Sequence, residues 1–178
     1  MKESLTIVVP IYNEEENIER LCKELSDFIK KSIVETQILF INDGSIDNSE
    51  KLINNQCNTN DKFKSLSFKK NSGLSAAIKA GFDYTNTSLV GYIDADLQTD
   101  PEDFNLLLNK ISDYDLVTGV RTKRKDSLVK NISSLIANSI RRLFTNDNMD
   151  DTGCPLKIIK TSFAKKIPMF RGIHRFLP

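Results

Sequence analysis

The chain is short of histidine, cysteine, net charge and long apolar runs, and each shortage removes a class of function. A lone histidine, His174, excludes His-rich metal sites and argues against a Ser-His-Asp triad, leaving it a surface or supporting role. Cys22, Cys57 and Cys154 are odd in number and lack C-x-x-C spacing, so they read as free thiols in a reducing compartment. With 25 basic and 24 acidic side chains the net charge is +1, and no basic stripe interleaved with aromatics points to nucleic acid. No apolar stretch approaches the ~20 residues needed to cross a bilayer, and no secretory leader is evident at Met1. The chain therefore reads as soluble and cytoplasmic. Neither G-x-x-x-x-G-K-[ST] nor G-x-G-x-x-G occurs, which leaves P-loop and Rossmann dinucleotide binding without support. There is no internal repeat and no low-complexity segment.

What is present is an alternation. Short apolar runs rich in β-branched residues predict strands at residues 5–9 (LTIVV), 37–41 (QILFI), 65–68 (SLSF), 89–93 (LVGYI) and 115–120 (DLVTGV). Between them, apolar residues at helical spacing predict helices. These are Ile18, Leu21, Cys22, Leu25 and Ile29; a helix from about Asp47; Leu74, Ala77, Ile78, Gly81 and Phe82; and Phe104, Leu107, Leu108 and Ile111. Asp100 before Pro101 predicts a capped start for the fourth helix. Leu128, Ile132, Leu135, Ile136, Ile140, Leu143 and Phe144 predict a long amphipathic one. Residues 54–62 (NNQCNTNDK) read as a polar surface loop. With 178 residues the chain suits one domain, a three-layer α/β/α unit with a mostly parallel central sheet.

Ligands of such sheets bind beyond the carboxyl ends of the strands. The predicted strands are followed by PIYNEEENI, NDGSIDNS, DADLQTDP and RTKRK, so Glu14, Asp43, Asp94 and Asp96 are expected on one rim. Asp94, Asp96 and Gln98 share a side if the segment is extended. Two adjacent carboxylates raise one another's pKa unless a cation neutralises them, and oxygen ligands suit Mg2+ or Mn2+ shared with substrate phosphates. Helix capping is the plain alternative, but Asp100 already fills that place. Gly44 turns the chain after the second strand and Ser45 or Asp47 caps the next helix, which leaves Asp43 to accept hydrogen bonds from a base or ribose. Asn13 is a candidate cap. Tyr12 either stacks on a base or covers the core. Arg121, Lys123, Arg124, Lys125 and Lys130 form a basic loop by default; Arg121, nearest the strand end, is the choice for a diphosphate, and the others face solvent or membrane.

Taken in order, IVVPIYNEEENI, INDGSIDNS, NSGLSAAIKAGF and YIDADLQTDPEDF resemble the nucleotide-sugar half of inverting family 2 glycosyltransferases of the GT-A fold. DTGCPLKIIK and GIHRFLP resemble the branch that glycosylates polyprenyl phosphates, related to dolichyl-phosphate mannosyltransferase. The resemblance implies a nucleotide-sugar set of Pro10, Tyr12, Glu14, Asp43, Asp94, Ala95, Asp96 and Arg121, metal ligands Asp94, Asp96 and Gln98, and a catalytic carboxylate at Asp151. It places the nucleotide-sugar half at about residues 1–120 and the acceptor side at about 121–178. It further implies a UDP-hexose donor, with GDP-mannose as the other candidate, a polyprenyl phosphate acceptor, and a role in cell-envelope glycan or lipid-linked sugar synthesis. Family members continue past HRFLP with an amphipathic stretch and often two membrane helices. The expectation is thus a chain ending early, whose full-length form meets the cytoplasmic face of a membrane. A homo-oligomer is left open.

Two other readings compete. Transfer to a carbohydrate hydroxyl needs Asp151 as a true base, and a fragment that binds nucleotide sugar without turnover needs only the first half. A receiver-type signalling domain is disfavoured, because KKNSG after the third strand offers no acceptor aspartate. A sugar-nucleotide-forming nucleotidyltransferase is disfavoured because PIYNEE stands where a Gly-rich phosphate loop belongs.

Overall fold

A computed structural model of the chain describes residues 3–120 and 154–169. β1 (Ser4–Ile11) and β2 (Glu35–Asn42) are the long central strands. β3 (Phe63–Ser67), β4 (Leu89–Tyr92), β5 (Leu116–Thr118) and β6 (Lys157–Lys160) are shorter. They form one sheet in the order β3-β2-β1-β4-β6-β5. β3, β2, β1 and β4 run parallel, as the predicted crossovers require. The chain winds outward from β1 to β3, then returns to place β4 on the other side of β1. That reversal of direction puts a crevice at the carboxyl ends of β1 and β4.

Alternation along the strands fills both faces. Ile7 and Val9 of β1 join Ile38 and Phe40 of β2 in one core, whereas Val8, Leu39 and Ile41 face the other. The first core lies under α1 (Ile18–Lys31), α2 (Ser49–Thr59) and α4 (Phe104–Leu108). Its rings meet in a tilted Phe28–Phe104 contact at 5.9 Å and an edge-on Phe40–Phe63 contact at 5.4 Å. The second core lies under α3 (Leu74–Tyr84) and α5 (Thr161–Ala164). Gly81 sets how closely α3 sits on β1: a Cβ there would come within 2.4 Å of Val8 Cγ1.

Four expectations are corrected. Residues 54–59 continue α2 instead of looping, because Ile53 and Cys57, four apart, keep one face inward while Asn54 and Asn55 face solvent. β6 was missed altogether. It is a four-residue strand bounded by lysines, too short for its periodicity to separate it from a helix end. It runs antiparallel between β4 and β5, so the last predicted strand does not pair with β4. That strand covers only Leu116–Thr118. The element after Asp100 opens as a 3-10 turn (Pro101–Asp103) before a short α4, with Asp100 accepting from the Glu102 N–H as a cap should. The amphipathic helix predicted from Leu128 and the position of His174 lie outside the described residues. Among the described residues no helix is long and apolar enough to cross a membrane.

Candidate functional site: the cleft at the strand tips

The loops after β1 and β2 are laced to each other. Asn13 takes a left-handed conformation (φ 55°), which asparagine tolerates, and its Oδ1 accepts from the Ile46 N–H at 2.9 Å. The Asn13 N–H donates to Ser45 Oγ, the Glu14 N–H to Ser49 Oγ and the Glu15 N–H to Asp47 Oδ2. Glu15 returns the link by accepting from the Asn48 N–H. Asn13 is therefore a tie between loops and not the cap predicted for α1, which starts five residues later at Ile18. Asp47 does serve the start of α2, accepting from the Ser49 N–H, while Ser45 is spent on the tie.

Asp43 stands just past β2 and is 3% exposed. Its two carboxylate oxygens accept from the N–H groups of Ser72 (2.7 Å) and Gly73 (2.8 Å), at the threshold of α3. The positive end of that helix favours a carboxylate there. Gly44 makes the approach possible. Its φ is +68°, and a Cβ would meet the Lys70 carbonyl carbon at 2.5 Å and the Asn71 nitrogen at 2.6 Å. In this way Asp43 fixes the segment 70–73 as one wall of a cleft.

The opposite wall departs from the extended alternation expected after β4. The strand stops at Tyr92, and residues 95–97 turn, with Leu97 left-handed at φ 59°. Asp96 is exposed and accepts from the Gln98 N–H at 3.0 Å across that turn. The Tyr92 hydroxyl donates to Asp94 Oδ1. Burial, with Asp94 and Asp96 beside it, pushes this hydroxyl well above its ordinary pKa, so it remains a donor.

Together these walls enclose an open cleft of about 320 Å3. Pro10, Tyr12, Glu14, Asp43, Asp94, Ala95 and Asp96 all line it, so seven of the residues singled out in the sequence meet in one place. Gln98 does not. It lines a neighbouring groove with Arg20, Glu24 and Lys31, because the turn at Leu97 ends the period of two that would have aligned it with Asp94 and Asp96. Arg121 and Asp151 lie outside the described residues. Tyr12 is 44% exposed, which removes the core-covering alternative. Glu14 is held by the Asn17 side-chain amide at 2.7 Å. The sequence reading missed Asn71, Gly73, Leu74 and Ala77, which line the same cleft. The signal was the NSG string before an apolar helix, which marks a tight approach to a helix start. It also missed Lys157, 2% exposed in β6 and donating to Thr118 Oγ1 at 3.2 Å.

Four carboxylates thus face one cleft, and among the described residues no lysine, arginine or histidine lines it. No three His, Cys, Asp or Glu side chains among the described residues form a ready-made metal cage either. Such a site suits an ion that is bound partly by protein carboxylates and partly by the phosphates of a ligand.

Residues 6–167 match the family model described as glycosyl transferase family 2. The chain belongs to that family. Two named relatives are a dodecaprenyl-phosphate galacturonate synthase of Rhizobium johnstonii, 30% identical over 98% of this chain and 53% of its own, and an undecaprenyl-phosphate 4-deoxy-4-formamido-L-arabinose transferase of Yersinia pestis, 33% identical over 98% and 54%. The chain spans about half the length of these relatives. The fold matches glucosyl-3-phosphoglycerate synthase of Mycobacterium tuberculosis, solved with Mn2+ and UDP-glucose (TM-score 0.72, 16% identity, 94% of this chain and 59% of that one). It also matches a mannosyltransferase of Pyrobaculum calidifontis solved with GDP-Man and Mn2+ (TM-score 0.66, 16% identity, 96% and 48%). The architecture is accordingly GT-A: one α/β unit with a mostly parallel sheet.

Proposed function

We propose that this family 2 chain forms the donor-binding part of an enzyme that transfers a hexose, with inversion, from a nucleotide sugar to a polyprenyl phosphate. The donor is UDP-linked, and the reaction depends on Mg2+ or Mn2+. The observation that carries the reading is the cleft at the reversal point of the sheet, lined by four carboxylates and, among the described residues, by no lysine, arginine or histidine. Four carboxylates in one cleft repel a diphosphate at short range where water is scarce, so a divalent cation is expected to accompany it. Asp94 and Asp96, at the lip of the cleft, have the oxygen chemistry to hold a hard divalent ion. When bound, that ion neutralises the charge gathering on the departing nucleoside diphosphate.

The chain's own residues supply the rest. Tyr12, exposed at the rim, offers a ring for the base to stack on. Asp43, already oriented by two backbone amides, offers its remaining lone pairs to a base or ribose donor. Glu14, steadied by Asn17, faces the same space. Pro10 and Ala95 shape the floor without bulk. Gln98, in the neighbouring groove, acts on the cation through the Asp96 turn, and Arg121 binds the diphosphate. The acceptor attacks the anomeric carbon from the face opposite the leaving group. A phosphate monoester has its second pKa near ~6 and is largely ionised at neutral pH, so Asp151 serves mainly to orient it and to offset developing positive charge. Family members with polyprenyl phosphate in their names support this acceptor, and it implies work at the cytoplasmic face of a membrane.

A thermal-shift series tests the donor assignment. UDP-glucose with Mn2+ at about a hundredfold excess over its dissociation constant is expected to stabilise the chain by about 2.7 kcal/mol. GDP-mannose with Mn2+, and UDP-glucose with a chelator, are expected to do less. Equal shifts for all ligands, or none, would remove the support for a UDP-sugar site. Turnover is read separately, with radiolabelled UDP-glucose and undecaprenyl phosphate in detergent.

A further inference from the structure

Each carboxylate at the tip of β4 has at least one oxygen held by the protein. Asp96 Oδ1 is held by the Gln98 amide, an element of the turn itself. Asp94 Oδ1 is held by the Tyr92 hydroxyl, which reaches it from the last residue of the strand. Tyr92 is 6% exposed, and its ring belongs to the core cluster of Val8, Ile41, Phe82 and Val90. It is thus a rigid lever: the ring is fixed by packing, and the hydroxyl emerges where Asp94 lines the cleft. Packing alone would be served equally by phenylalanine, and burying a hydroxyl costs free energy unless it is hydrogen-bonded. Here the bond is spent on a carboxylate of the cleft.

We propose that Tyr92 is a positioning residue for the cation of the donor complex, fixing the Asp94 carboxylate in the orientation that receives the ion. This rests on the reading above that Asp94 and Asp96 share a divalent cation with the nucleotide diphosphate. The physical basis is that the outer partner of a ligating carboxylate fixes its rotamer before the ion arrives. The entropy of ordering Asp94 is then not charged against binding.

Tyr92→Phe tests this by titrating Mn2+ into the UDP-saturated protein, with the free ion followed by electron paramagnetic resonance. Affinity for Mn2+ is expected to fall by about ten- to hundredfold, while UDP binding without metal and the melting temperature of the free chain stay near those of the unaltered protein. Mn2+ affinity within twofold of the unaltered chain overturns the proposal, and so does a variant that no longer melts cooperatively, since the hydroxyl would then serve the fold. A second measurement needs no substitution. In protein labelled with 13Cζ-tyrosine, adding Mg2+ to the UDP complex is expected to move the Tyr92 signal and leave those of Tyr84 and Tyr114, both exposed and outside the cleft lining. A Tyr92 signal indifferent to Mg2+ overturns the proposal. If the unaltered chain takes up no Mn2+ with UDP, the metal reading of the cleft falls too. If it does and Tyr92→Phe matches it, only the role of Tyr92 falls.

Discussion

Asp43 and Asp96 are the same residue type, both just past the end of a parallel strand, yet their surroundings are opposite. Asp43 is buried, and both its oxygens are engaged by backbone amides of another segment. Asp96 is exposed, and its hydrogen bond to the Gln98 amide stays within its own turn. The β2 side of the cleft is therefore fixed by bonds to another segment, and the β4 side presents at Asp96 a carboxylate open to solvent. On the proposed reading a nucleoside meets the fixed wall, and a cation with its phosphates meets the exposed carboxylate of Asp96. This division makes separate demands on the two sides, and substitutions should separate them.

The largest effect is expected from Asp96→Ala. Loss of a ligand should weaken Mn2+-dependent UDP binding by more than about a hundredfold, measured by calorimetry, with little change in denaturant midpoint because the side chain is exposed. Asp43→Ala should do the reverse in kind. Removing the buried acceptor of two partly buried amides is expected to cost about 1–3 kcal/mol of stability, read from urea unfolding, and to weaken UDP binding with or without metal. If Asp43→Ala left stability unchanged, the contrast drawn between the two walls would dissolve. Gly44→Ala sharpens it with a smaller change. A side chain at φ +68°, pressed against Lys70 and Asn71, is expected to cost about 1–3 kcal/mol. It should loosen nucleoside binding while Mn2+ uptake alone is spared.

The two sides also differed in how far the sequence disclosed them. β1, β2 and β4 were legible because a strand buried on both faces writes a continuous apolar run, and Asp43 was legible because it follows such a run directly. The shape of the β4 side was not, although its residues were. Period-two reasoning assumed an extended chain past Tyr92, and one left-handed residue, Leu97, breaks the period and turns Gln98 into another groove. Asn13 misled for a related reason: a residue fit to cap its own helix instead bonds a loop 33 residues away, a tertiary preference that no local pattern encodes. Asn71 and Gly73 line the cleft on a loop that Asp43 holds through the Ser72 and Gly73 amides, again a long-range contact. β6 went unseen because four residues carry too little periodicity to announce a strand.

That late strand has a consequence for how the molecule comes into being. β6 fills the slot between β4 and β5, so the sheet cannot close until residues 157–160 have left the ribosome. Until then β4 presents a bare row of amides and carbonyls along its outer side, an invitation to pair with a stranger. A nascent chain of which only residues 1–120 had emerged would carry both acidic tips and an unfinished border, exposed to wrong pairing until β6 follows.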